Sequence, residues 1–89
     1  MNPLQVRIIS PKKILYNDRA VSISSTNSAG NFDILPGHAN FLTLVENNPI
    51  LIKKPDNQTL KFNFPLAIIY TYNNRVSIFT DISIEPTFS

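Results

Sequence analysis

Apolar side chains recur at every second position along most of this sequence, and nowhere do they sustain the spacing of three and four that an amphipathic helix needs. Leu4, Val6 and Ile8 alternate with Gln5 and Arg7; Val21 and Ile23 alternate with serines; Leu60, Phe62 and Phe64 alternate with Lys61 and Asn63. A period of two sends successive side chains to opposite faces of a strand, so each of these segments reads as half buried and half solvated. The seven prolines are scattered through the chain and would break most helices, because each removes a backbone donor and crowds the preceding turn. The pattern therefore restricts the chain to an all-β fold.

In order, the alternation predicts strands over residues 4–9, 14–16, 21–25, 31–34, 41–45, 50–52, 60–64, 66–72, 76–80 and 81–85. Turn chemistry separates them: Ser10-Pro11, Asn17-Asp18, Asn47-Asn48-Pro49, Pro55-Asp56-Asn57 and Asn73-Asn74, the last resembling a two-residue hairpin because asparagine tolerates left-handed backbone angles. Thr26 to Gly30 is small and polar without periodicity and reads as a flexible loop. About ten short strands at such intervals suit a sandwich or a small barrel, and periodicity does not choose between them.

Both glycines and the only histidine fall within residues 30–41. Pro36-Gly37 has the chemistry of a type II turn, in which proline presets φ at the second position and glycine takes the positive φ at the third. The chain has 89 residues and is expected to form one domain, 1–89, burying roughly 60% of the surface its unfolded form exposes. A hydrophobic content of 43% with 16% charged residues argues against disorder. There is no cysteine, hence no disulfide or thiolate metal site to supplement the core. The net charge of +2 does not demand a nucleic-acid partner, and Lys12-Lys13 and Lys53-Lys54 read as solvated turn or strand-end pairs. Met1 to Leu4 lacks the basic lead-in of a secretory signal, and no apolar run approaches the roughly 20 residues that span a bilayer. Any membrane association is expected to go through a partner.

Little material for catalysis exists. His38 and Asp33 form the only local imidazole and acid pair, no serine sits on a strained elbow, and one imidazole does not make a triad. Gly30 and Gly37 do not form a phosphate loop, since neither the lysine-hydroxyl ending nor a following helix is present. No cofactor and no metal site is expected. Phe62, Phe64, Tyr70 and Tyr72 could stack bases on an open sheet, which makes a nucleic-acid-binding β-barrel the competing reading. Core packing explains such an alternating set more simply, and only Lys61 and Arg75 interleave it with positive charge.

Gly30-Asn31-Phe32-Asp33-Ile34-Leu35-Pro36-Gly37-His38-Ala39 resembles the signature of the rotary ATP synthase epsilon subunit. Phe41-Leu42-Thr43-Leu44 after the turn and Arg75-Val76-Ser77-Ile78-Phe79-Thr80-Asp81 near the end fit the same family. The resemblance covers almost the whole chain but only the N-terminal domain of the usual subunit, which continues into a helical hairpin. A short form or a truncated chain, coupling without inhibition by that hairpin, is the expectation. The resemblance implies a sandwich of two antiparallel sheets. It also implies a non-catalytic central-stalk subunit that binds the gamma subunit, rests on the polar loops of the c-ring, and sits peripherally on the F1 side of an energy-transducing membrane. Carried over by position, Ser28, Ala29, Gly30, Asn31 and His38 would make the ring contact, the loop and the His38 turn forming one end, with Pro36 and Gly37 as structural turn. Ala29 and Asn31 stand where the family commonly has acids, so hydrogen bonds are expected to matter more there than charge.

Overall fold

The structure, a computed structural model, describes residues 3–37 and 40–80. Nine strands follow one another: β1 (Leu4–Ile9), β2 (Ile14–Ala20), β3 (Ser22–Asn27), β4 (Gly30–Ile34), β5 (Phe41–Glu46), β6 (Pro49–Lys53), β7 (Thr59–Asn63), β8 (Leu66–Tyr72) and β9 (Arg75–Thr80). They form two sheets, a five-stranded one in the order β2-β1-β9-β8-β5 and a four-stranded one in the order β4-β3-β6-β7. The sandwich implied by the family signature is present, and the segment at 81–85 lies outside the described residues. One pairing departs from the antiparallel expectation: β1 runs parallel to β9, with Val6 beside Val76 and Ile8 beside Ile78.

The buried halves of the alternating strands meet between the sheets. Leu4, Val6, Ile8, Ala67, Ile69, Val76 and Ile78 from the larger sheet close on Ile23, Ile34, Ile50 and Ile52 from the smaller one. Short β-branched side chains dominate this layer because they keep few rotamers and pack well on a pleated surface. Tyr16, Phe32, Phe41, Leu60, Phe62 and Phe64 seal its margins, with Tyr16 edge-on to Phe62 at 5.6 Å between ring centroids. Burial holds the Tyr16 hydroxyl above its ordinary pKa, since an ionised phenolate there would lose its hydration.

Two local expectations are corrected. Asn17 and Asp18 do not turn the chain; β2 runs through them to Ala20, Asn17 opposite Arg7 and Asp18 opposite Val6. Pairing with β1 overrides their turn preference, and each side chain is otherwise engaged: the Gln5 amide donates to Asn17 Oδ1 at 2.9 Å, and Lys54 reaches Asp18 at 3.4 Å. The corner falls at Val21, whose N–H donates to the Lys53 carbonyl at 2.8 Å as the chain passes to the other sheet. Nor is residue 26–30 a flexible loop. Thr26 and Asn27 belong to β3, and Ser28-Ala29 is a tight hairpin turn closed by the Asn27 and Gly30 pair.

The connections divide between two ends. Since successive strands run in alternate directions, Ser10–Lys13, Ser28–Ala29, Asn47–Asn48 and Phe64–Pro65 gather at one end. Val21, Leu35–Gly37, Lys54–Gln58 and Asn73–Asn74 gather at the other.

Candidate functional site

The hairpin of β3 and β4 is built by side chains that bond across it. On its outer face Ser24 donates to the Asp33 carboxylate, and Thr26 Oγ1 donates to Asn31 Oδ1 at 2.7 Å. At the tip the Ala29 N–H donates to Asn27 Oδ1 at 2.9 Å, an Asx turn that spares the backbone an unpaired donor. Gly30 leaves the turn at φ +122°, a conformation that L side chains rarely adopt. The base is tied to the rest of the sandwich: Asn27 Nδ2 donates to Thr43 Oγ1 at 2.9 Å, Ser25 Oγ to the Pro49 carbonyl at 2.9 Å. Ser28, Ala29, Gly30 and Asn31 are all exposed. The result is a projecting, uncharged tip on a braced ribbon.

Pro36-Gly37 takes the conformation expected of it, with Gly37 at φ +82°. It does not join two paired strands, because β4 pairs with β3 while β5 pairs with β8 in the other sheet. The turn is a crossover, and one side chain anchors it: the Gly37 N–H donates to Asn74 Oδ1 at 2.8 Å. Asn74 also passes its carbonyl to the Gln5 N–H at 2.9 Å, so the turn, the β8-β9 hairpin and the start of β1 meet on one residue. No periodicity pointed to Asn74; its only sequence signal was membership of an Asn-Asn turn.

The expected site residues are therefore not all brought together. His38 lies outside the described residues, and the Pro36-Gly37 turn before it stands at the opposite end of β4 from the Ser28-Ala29 tip. The intervening strand alone separates them by roughly 13 Å. The four aromatics considered as a stacking platform are also divided. Phe62 and Phe64 flank the core at the smaller sheet, whereas Tyr70 and Tyr72 are exposed on the larger one. No single face offers all four to a nucleic acid.

Other concavities are shallow. One of about 420 Å³ lies beside the Asp18 and Lys54 ion pair, lined also by Pro3, Arg19 and Asp56. The Asp18 carboxyl is held below its ordinary pKa, first by the Arg19 N–H and then by Lys54, both of which favour its charged form. Among the described residues no three His, Cys, Asp or Glu side chains converge as metal ligands.

The described residues thus define a two-sheet β-sandwich with a braced hairpin tip at one end. The sequence matches the model for the ATP synthase Delta/Epsilon chain, beta-sandwich domain, over residues 3–86, and the chain belongs to that family. It is 29% identical over 83 residues to the ATP synthase epsilon chain of Endomicrobium trichonymphae, covering 93% of this chain and 59% of the relative. The epsilon chain of Leptospira interrogans is 32% identical over 80 residues, with coverage of 90% and 62%. The chain thus spans less than two thirds of these relatives' length. The fold is also found in the Euglena gracilis mitochondrial ATP synthase OSCP/F1/c-ring structure, with a TM-score of 0.82 at 10% identity over 90% of this chain and 51% of that one. The central stalk and c-ring structure of the Tetrahymena thermophila enzyme gives 0.72 at 15% identity, covering 89% and 63%.

Proposed function

We propose that this chain is the sandwich part of a non-catalytic coupling subunit in the central stalk of a rotary ATP synthase. It binds the gamma subunit and sets the Ser28 to Asn31 tip against the polar loops of the c-ring, so that ring rotation turns the stalk. The family match over residues 3–86 carries this reading. The hairpin supports it physically, because a part that transmits torque must resist shear, and a close-packed sandwich with a cross-bonded ribbon does so better than a mobile loop. The tip carries no ionised side chain from Asn27 to Asn31. Contact with the ring is then made by hydrogen bonds from Ser28 and Asn31 and by backbone groups, with a weak dependence on salt. The chain sits peripherally on the F1 side of the membrane through these partners.

Co-purification tests the reading. The tagged chain, expressed in its own source, is expected to bring down the gamma and c subunits under conditions that preserve the whole complex. Recovery of an intact complex without the chain would rule the assembly out.

A further inference from the structure

The two outer faces of the sandwich differ in kind. That of the smaller sheet is mostly hydrophilic, presenting Ser22, Ser24, Asn31, Asp33, Lys53 and Lys61 around a single exposed Leu51. On the larger sheet the corresponding face of β5 and β8 carries Leu42, Leu44, Ile68, Tyr70 and Tyr72, and β9 adds Phe79. Leu42 is 67% exposed and Tyr72 49%. In register, Leu42 stands beside Tyr70 and Leu44 beside Ile68, which in turn is beside Phe79, so these side chains form one continuous strip. The Tyr70 and Tyr72 rings stack alongside each other, 6.5 Å between centroids and 9° from parallel. A strand as apolar on both faces as β8 has the composition of one covered on both.

On β2, β1 and β9 the same face carries a cluster of cations. All three arginines of the chain, Arg7, Arg19 and Arg75, lie on it, while all five lysines lie elsewhere. Gln5 pairs with Arg19 on one side and Arg75 on the other, and Arg7 is one step along β1, diagonal to both. Strand spacing places Arg19 and Arg75 roughly 10 Å apart with Arg7 between them. Arg7 and Arg75 border a hollow of about 560 Å³ lined also by Gln5, Asn17 and Ser77. Clustered like charges oppose folding, and arginine is the cation whose planar fork binds carboxylates in bidentate fashion.

We propose that the outer face of the five-stranded sheet docks an acidic, amphipathic segment of the stalk subunit, its apolar side chains over the Leu42-Tyr70-Tyr72 strip and its carboxylates over Arg7, Arg19 and Arg75. Charge selects this occupant over a second copy of the chain. An isologous contact needs a self-complementary surface, and the only carboxylate on this face among the described residues is Glu46, at the far edge strand. The proposal rests on the coupling-subunit reading for the identity of the partner.

Calorimetric titration of the full chain with the gamma subunit of its own source tests it at low and high salt. The double variants Arg7→Glu/Arg75→Glu and Leu42→Ser/Tyr70→Ser are each expected to raise Kd by about tenfold or more, the first also flattening the salt dependence. Lys61→Glu, on the opposite face, is expected to bind as the parent does. Circular dichroism and thermal midpoints check folding, with Arg7→Gln/Arg75→Gln as the milder replacement where charge reversal unfolds the chain. Tight binding by the parent with Kd unchanged in both face variants would overturn this docking face while leaving the assembly reading intact; no binding by the parent would overturn both. Self-association of the chain alone, abolished by the same variants, would assign the face to a second copy and overturn the proposal.

Discussion

Gly37 shows how much a single position can fix. Its φ of +82° lies where a side chain is strained, yet an added Cβ would meet nothing within 4 Å. The cost of Gly37→Ala is therefore backbone strain alone, about 1–2 kcal/mol, measured as a lowered midpoint in denaturant; an unchanged midpoint would contradict the turn. Asp18 gives a pH test. Its pKa is lowered in the folded state, so the stability it confers is present above the unfolded carboxyl value near 4 and is lost as pH falls through the folded value. Comparing thermal midpoints of the parent and Asp18→Asn should show a difference at neutral pH that closes below about pH 4. At this scale the sequence was informative where local chemistry decides the outcome: Gly37, Asn57, Asn73 and Asn74 all adopt positive φ in expected turns. It misled at Asn17-Asp18, where a neighbouring strand outbids the same chemistry.

Among the elements, the strands were legible because one-sided burial imprints a period of two, as in β1 and β9. Their partners were not. Nothing local distinguishes the strand that pairs β4 from the one that pairs β5, or makes β1 parallel to β9, because those choices rest on contacts distant in sequence. The separation of the hairpin tip from the Pro36-Gly37 turn follows from β4 itself, which stands between them whichever strand it pairs with; the alternation at residues 31–34 already implied it, and the common end came from the family resemblance alone. The Asn73-Asn74 turn provides a test of the join between elements. Asn74→Gly keeps the positive φ but removes the acceptor for the Gly37 N–H; Asn74→Ala loses both. Alanine is expected to destabilise by about 1 kcal/mol more than glycine in equilibrium unfolding. Equal losses would mean that the backbone conformation at Asn74 is of no consequence.

For the molecule as a whole, family membership joins a close-packed sandwich with a neutral tip at one end and a distinctive apolar and arginine-bearing sheet face. The proposed coupling role asks for that combination: a rigid body, a surface to grip the stalk, and a projection to meet the ring. The claim is tested most directly by returning the purified chain to membranes whose ATP synthase has been stripped of its own subunit of this type, and measuring protons pumped per ATP hydrolysed. Binding of the chain with recovery of pumping is the expected result. Hydrolysis that continues with pumping unrestored, although the chain is bound at full occupancy, would contradict a role in coupling.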